Sequence, residues 1–88
     1  MAKQTSLTKV TQDQWDAIRA DLELLLEVQQ KDDESLEDYA LRLAKRANDK
    51  DAVSDDEWET LDETTQLWVN GAIDADEKGK SIPLPPVE

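Results

Sequence analysis

The sequence predicts an all-α fold: a small antiparallel bundle of three to four helices with an extended Pro-rich C-terminal tail. In three segments, apolar residues recur every three or four positions, the spacing of one helix face. A Ser or Thr that can cap a helix precedes each segment. Connections of about two to six residues favour antiparallel neighbours. With 88 residues the chain is one domain at most, placed at residues 10–80 between a flexible arm (1–9) and the tail (81–88).

The first helix is predicted over residues 11–30. Thr11 and Gln14 form a capping box, and Val10 and Trp15 occupy the two positions of a hydrophobic staple. The predicted buried stripe has spacings of three, four and three residues and consists of Trp15, Ile18, Leu22 and Leu25.

The second helix is predicted over residues 35–48, with Ser35 as N-cap and Asp38 three residues later. Its apolar side consists of Leu36, Tyr39, Ala40, Leu43 and Ala47. Three cations lie toward its C-terminal end, where they complement the helix dipole: Arg42, Lys45 and Arg46. We expect these cations to face the acidic segment that follows and to neutralise part of it.

The third helical segment is predicted over residues 54–78. Ser54 and Glu57 form a capping box, with Val53 and Trp58 as the staple. Its apolar stripe consists of Leu61, Thr65, Trp68, Ala72 and Ala75. A second capping box at residues 60–63 predicts a break into two helices near residue 61, and Gly79 suits the position after the last helix.

The three tryptophans fall on these apolar stripes, and the chain has no phenylalanine. We therefore predict that they fill the core, although tryptophan is also enriched at binding hot spots and an exposed recognition platform is the alternative. The complete predicted core is Trp15, Ile18, Leu22, Leu25, Leu36, Leu43, Trp58, Leu61, Trp68 and Ala72.

Residues 10–18 and 53–61 resemble each other, with the sequences VTQDQWDAI and VSDDEWETL. One interpretation is a repeated two-helix unit. The other is that both segments reached the same cap and staple independently. The second is favoured because the similarity does not extend far beyond the cap.

The composition excludes several classes of chemistry. Without cysteine or histidine the chain lacks disulfides, thiolate nucleophiles, imidazole bases and ordinary zinc sites. A calcium loop starting at Asp49 or Asp51 fails, because the required glycine and glutamate positions are not matched. We therefore expect no enzyme activity, no metal and no cofactor. With no apolar run long enough to cross a bilayer and no secretion signal, we expect a cytoplasmic location.

The net charge is −12, and residues 51–77 contribute ten acids and no base. Such a field repels nucleic acid and membranes and attracts basic protein surfaces. We therefore predict a non-enzymatic interaction protein that binds a basic protein surface through residues 51–77, in the manner of a DNA-mimic-type inhibitor or regulator. The predicted partner-binding residues are Asp55, Asp56, Glu59, Asp62 and Glu63.

Alternative functions follow from other features of the chain. Leu24, Leu26 and Val28 widen the apolar face of the first helix, which would suit a structural or assembly adaptor, or a homodimer through that helix. Aspartate enrichment would also suit a salt-adapted domain with no mimic role. Residues 80–86 loosely match an SH3 ligand, but folding back of Ile82 and Leu84 onto the bundle is at least as consistent with the sequence.

Overall fold

The computed structural model describes residues 9–85, and within this range the chain forms four α-helices and no β-strand. The helices are α1 (Gln12–Leu26), α2 (Leu36–Ala47), α3 (Asp55–Thr60) and α4 (Glu63–Glu77). The all-α prediction is confirmed for this part of the chain. The predicted arm, apart from Lys9, and tail residues 86–88 lie outside the described residues. None of the helices in residues 9–85 is long and apolar enough to span a membrane.

α1 begins as predicted but ends earlier. The Gln14 N–H donates to Thr11 Oγ1 at 3.1 Å, and the Thr11 N–H donates to Gln14 Oε1 at 2.9 Å, so the capping box is confirmed. The predicted end at residue 30 is wrong, because Glu27 adopts a left-handed conformation with φ 55°. A non-glycine residue rarely adopts this conformation without compensating contacts.

Two hydrogen bonds hold the connection between α1 and α2 that follows Glu27. Gln30 Nε2 donates to the Glu34 carbonyl oxygen at 2.8 Å, and Arg42 Nη2 donates to the Gln29 carbonyl oxygen at 2.8 Å. The first of these bonds lies within the connection, and the second ties the connection to α2.

The predicted break in the third helical segment is confirmed, but its cap is a different residue. α3 ends at Thr60, and Leu61 is extended and buried. Asp62 is the N-cap of α4 and accepts a hydrogen bond from the Thr64 N–H at 3.2 Å. Thr60 does not cap α4, because its hydroxyl donates to the Glu57 carbonyl oxygen within α3. The extended Leu61 separates the two helices and points a large apolar side chain into the core.

The similar segments at residues 10–18 and 53–61 share their caps and little else. Ser54 and Glu57 form the same reciprocal capping box as Thr11 and Gln14, and both preceding valines are buried. However, α1 has 15 residues and α3 has six. This difference in length favours the interpretation that both segments reached the same cap and staple independently.

α1, α2 and α4 pack against one another around a common core. The predicted core residues that are fully enclosed are Trp15, Ile18, Leu22, Leu43, Leu61, Trp68 and Ala72. Leu25, Leu36 and Trp58 are partly buried and pack against this core. The Trp15 and Trp68 rings meet at a centroid distance of 5.4 Å and an interplanar angle of 48°, a favourable tilted arrangement. Both rings are therefore structural and not available as a recognition platform.

After α4 the chain turns back onto the bundle. Gly79 has φ 71°, the Lys80 N–H donates to the Ala75 carbonyl oxygen at 2.7 Å, and the Gly79 N–H donates to the Asp76 carbonyl oxygen at 3.1 Å. This is the Schellman pattern of helix termination, in which a glycine adopts the left-handed conformation. Residues 82, 83 and 85 are buried, and Trp68 Nε1 donates to the Pro83 carbonyl oxygen at 2.7 Å. A segment held in this way is not free to serve as an SH3 ligand over residues 80–85.

Candidate functional site

We call Asp55, Asp56, Glu59, Asp62 and Glu63 the acidic face; these are the predicted partner-binding residues. All five are exposed. On α3, Asp55, Glu59 and Asp56 fall within an arc of about 100° at the helical rotation of about 100° per residue. Trp58 lies outside this arc and packs against the core. The sequence therefore orients α3 by burying Trp58, which leaves the three carboxylates toward solvent.

The rest of the acidic face lies at the corner between α3 and α4. Asp62 caps α4, and Glu63 is the first residue of that helix. The Asp62 N–H donates to Asp21 Oδ2 at 3.1 Å, so a carboxylate of α1 lies against the same corner. Negative charge at a helix N-terminus is favourable, because the peptide dipoles sum to a positive potential there. Three acids thus meet at one helix start without destabilising the fold.

None of the five acidic-face carboxylates forms an ion pair with a Lys or Arg among residues 9–85. The expectation that the α2 cations face the acidic segment is wrong for Arg42, which pairs with Glu34 at 2.8 Å. The same expectation holds for Lys45, which pairs at 3.8 Å with Asp76 of α4, an acid of the segment 51–77 but not of the acidic face. Arg46 is exposed and has no ion pair within the described part of the chain. The acidic face therefore keeps its charge uncompensated by α2.

Arg42, unlike Lys45 and Arg46, belongs to a polar cluster formed with α1 and the α1–α2 connection. We call Arg19, Glu23, Glu34, Tyr39 and Arg42 the Tyr39 cluster. The Arg19 and Arg42 guanidinium carbons lie 5.4 Å and 5.2 Å from the centre of the Tyr39 ring, within the range of cation–π attraction. The Tyr39 hydroxyl donates to Glu23 Oε2, and Arg19 donates to the same oxygen at 2.9 Å. The cluster links α1, α2 and the connection between them.

Protonation equilibria in the Tyr39 cluster follow from these contacts. Burial, together with the hydrogen bond to Glu23, raises the pKa of Tyr39 to about 12. Partial burial opposes ionisation of Glu23, but the hydrogen bonds from Tyr39 and Arg19 hold the pKa of its carboxyl below the usual value. The hydrogen bonds from Arg42 likewise lower the pKa of Glu34. The charges of the cluster are therefore paired with one another and stabilise the fold.

An open groove of about 640 Å³ lies between α1 and the α3–α4 corner. Its α1 wall follows one helical stripe and consists of Asp13, Gln14, Ala17, Ile18, Ala20, Asp21 and Leu24. The opposite wall consists of Thr60, Asp62, Thr64 and Thr65. No Lys or Arg lines the groove. It shares Asp62 with the acidic face, so the two surfaces are continuous.

The sequence analysis did not predict that Asp13, Asp21 and Leu24 lie near Asp62 in one groove. Ala17 and Leu24 are seven residues apart, and Asp13, Ala17 and Asp21 recur at intervals of four, so the shared stripe was visible in the sequence. What the sequence did not show is that the α3–α4 corner, 41 residues after Asp21, packs beside that stripe.

The apolar face predicted at Leu24, Leu26 and Val28 is smaller than expected. Leu24 is 82% exposed. Leu26 and Val28 are partly buried and pack against the core, because α1 ends at Leu26 and the chain turns toward α2. An adaptor or homodimer contact through the first helix would thus have Leu24 as its main apolar group.

A second, smaller cavity of about 260 Å³ lies where the C-terminal end of α2 meets α3. Trp58, Val53 and Ala47 form its apolar part, and Asp55 and Lys50 lie at its edge. No group of three or more Asp or Glu side chains in residues 9–85 is arranged to hold a metal ion.

Comparison with known proteins identifies no relative: no protein-family model, no curated protein and no solved structure matches this chain.

Proposed function

We propose that this chain is a small acidic, non-enzymatic interaction protein that binds a basic protein surface through the acidic face. The observation that carries the proposal is the charge arrangement. Five exposed carboxylates lie within nine residues on α3 and the α3–α4 corner, and no Lys or Arg among residues 9–85 pairs with them.

Two physical arguments favour binding over a purely solvating role. A chain that needs only solubility is served by interspersed charges of both signs. In this chain, Arg42 of α2 binds Glu34 and the Gln29 carbonyl oxygen and does not pair with the acidic face. Segregation of this kind produces a directional field, which accelerates encounter with an oppositely charged partner and weakens as salt rises.

The fold provides the rigidity that such recognition requires. α3 is fixed at its start by the reciprocal capping box of Ser54 and Glu57, and at its end by the buried Leu61. Gln66 Nε2 donates to the Trp58 carbonyl oxygen at 2.8 Å, which ties the end of α3 to α4. The backbone that carries the α3 carboxylates therefore has a fixed placement, and less ordering entropy is lost on binding.

In the DNA-mimic form of this proposal, the partner's basic surface is one that otherwise binds nucleic acid. Duplex DNA should then compete with this protein for the partner. The partner, the cytoplasmic location, the antiparallel helix arrangement and the extended conformation of the Pro-rich tail all remain predictions.

The test uses charge reversal with a matched control. One variant carries Asp55→Lys, Asp56→Lys and Glu59→Lys; the control carries Asp32→Lys, Asp33→Lys and Glu37→Lys, at exposed acids in and beside the α1–α2 connection. Both variants have the same net charge. Proteins eluted from a DNA column, taken from the source organism, are applied to each immobilised protein, and the salt needed for elution is measured.

We expect wild type and the control to retain a basic protein that the α3 variant releases at lower salt, and duplex DNA to displace it. Equal retention by the two variants would reject the acidic face as the binding surface. Retention that DNA does not affect would preserve the interaction but reject mimicry.

A further inference from the structure

The groove beside the acidic face has an apolar centre. Ala17 and Ala20 have small side chains, so the surface forms a depression between Asp13 at one end and Leu24 at the other. Ile18 and Thr65 are buried beneath them. From Asp13 to Leu24 the α1 wall extends about 16 Å at about 1.5 Å per residue. That length suits a short peptide segment.

Leu24 is the feature of this groove that solubility does not explain. Among residues 9–85, Leu24 is the large hydrophobic residue that is exposed, with 82% of its surface accessible to solvent. Single exposed leucines are common on protein surfaces. This one lies at the end of a groove whose α1 wall includes the small side chains of Ala17 and Ala20 as well as Asp21, and the alanines leave open space for an apolar side chain of another molecule.

The edge of the groove indicates the charge of its occupant. Asp13, Asp21 and Asp62 line it, and no cation does. The Asp62 N–H holds the Asp21 carboxylate in place at 3.1 Å. A cationic segment would meet carboxylates on both walls. A second copy of this chain is disfavoured, because a two-fold contact through this face would oppose two acidic rims in a chain of net charge −12.

We propose that the groove binds a Lys- and Arg-rich segment of the partner protein that carries one large apolar side chain, seated against Leu24, Ala17 and Ala20. The inference rests on the proposed function, since the groove extends the acidic face through Asp62. The acidic face supplies attraction that depends on charge alone. The groove adds selection, because a basic segment without the apolar residue leaves Leu24 exposed.

Two synthetic peptides of equal length and charge, about 12 residues long to match the groove, separate these contributions. Both are lysine-rich; one has a single leucine at its centre, and the other has glutamine at that position. Affinities are measured by calorimetry, and contacts by amide chemical-shift changes. The proteins are wild type, Leu24→Gln and the variant with Asp55→Lys, Asp56→Lys and Glu59→Lys. Leu24→Gln keeps a good helix former at an exposed position.

We expect wild type to bind the leucine peptide about tenfold or more tightly than the glutamine peptide, as burial of one leucine side chain implies. Leu24→Gln should remove this preference and leave glutamine-peptide binding unchanged. Shift changes should include Ala17, Ala20 and Thr64. The α3 variant should weaken both peptides by the same factor.

Each contrary result has a separate meaning. Equal affinity of wild type for both peptides would reject the groove inference and leave the proposed function intact. Leucine-peptide binding that the α3 variant does not weaken would support the groove and count against the acidic face. A leucine preference that survives in Leu24→Gln, or no binding of either peptide, would reject the groove inference. A wild-type dimer that Leu24→Gln converts to monomer would assign the groove to a second copy and also reject it.

Discussion

The Tyr39 cluster and the acidic face show two ways in which one acidic chain handles its carboxylates. In the Tyr39 cluster, Glu23 and Glu34 are bound by Arg19, Arg42 and the tyrosine hydroxyl. In the acidic face, no described cation is within ion-pairing distance. Cations are available, but α2 directs Arg42 toward the α1–α2 connection. The first group of charges is therefore bound within the fold, and the second is exposed and unpaired by the described cations.

The largest expected effect comes from removing the scaffold that holds both regions in place. Trp68→Ala deletes a fully buried ring that packs on Trp15 and donates to the Pro83 carbonyl oxygen. We expect a loss of about 3–5 kcal/mol in the free energy of unfolding, the usual range for a buried large aromatic. A domain of this size has little more than that in total. Urea unfolding followed by circular dichroism should show a largely unfolded variant.

Trp58→Ala is the matched control, because Trp58 is only partly buried at the edge of the core. Its loss of stability should be clearly smaller. If Trp68→Ala melted at the wild-type temperature, Trp68 would not be a central core residue. The Tyr39 cluster and the acidic face would then not share it as a common support.

The next effect concerns the Tyr39 cluster alone. Tyr39→Phe keeps the ring between the two arginines but removes the hydroxyl that donates to Glu23. A hydrogen bond to a charged group contributes about 1.5–3 kcal/mol when buried, and Glu23 is 29% exposed, so we expect about 1–2 kcal/mol. Urea midpoints at neutral pH measure the difference. A stability equal to wild type would show that this hydrogen bond makes no net contribution to the free energy of unfolding.

The same residue predicts an alkaline limit to stability. The folded state raises the pKa of Tyr39 to about 12 from an ordinary value of 10.0, so the unfolded chain loses this proton first. Stabilisation from the protonated hydroxyl is complete below pH 10 and is lost as pH rises toward 12. The chain has one tyrosine, so tyrosinate absorbance reports Tyr39 directly. Tyr39→Phe should lose less stability over this pH range than wild type, and equal pH dependence in both would contradict the assignment.

A smaller effect distinguishes the two regions by salt. Neutralising the acidic face with Asp55→Asn, Asp56→Asn and Glu59→Gln removes uncompensated like charges. Raising salt from about 0.05 M to about 0.5 M, which shortens the Debye length several-fold, should raise the wild-type melting temperature by screening repulsion. This rise should be smaller in the neutralised variant.

The control for the salt effect is Glu23→Gln with Glu34→Gln, which removes two paired acids. It should melt below wild type at both salt concentrations, because Arg19 and Arg42 lose their partners. A wild-type protein that unfolds without high salt would instead support the salt-adapted interpretation of the charge.

The smallest expected effect is that of Leu24→Gln on stability. Leu24 is 82% exposed, so the change should alter the free energy of unfolding by no more than about 0.5 kcal/mol. Leu22→Gln, two positions earlier, is the contrast, because Leu22 is fully buried and a polar amide there lacks solvent. A large loss in Leu24→Gln would show that Leu24 supports the fold and is not reserved for a ligand.

Several features of this protein followed from the sequence because they are local. The starts of α1, α2 and α3 depend on Thr11, Ser35 and Ser54, whose side chains accept from backbone N–H groups three residues later. Such a cap needs only neighbouring residues. The turn at Gly79 is local for the same reason. The buried stripes also followed from spacing, since an amphipathic helix has one face to hide.

Tertiary structure decided what depended on distant residues. The connection after α1 is held by a residue of the next helix, because Arg42 donates to the Gln29 carbonyl oxygen, 13 positions earlier in the chain. Arg42 pairs with Glu34 and not with the acidic segment, because it donates to both Glu34 carboxylate oxygens, at 2.8 and 3.1 Å. The groove exists because α4 begins beside Asp21. The sequence by itself determined which residues are charged and which faces are apolar, whereas packing determined which charges found partners, because pairing requires side chains from different elements to meet.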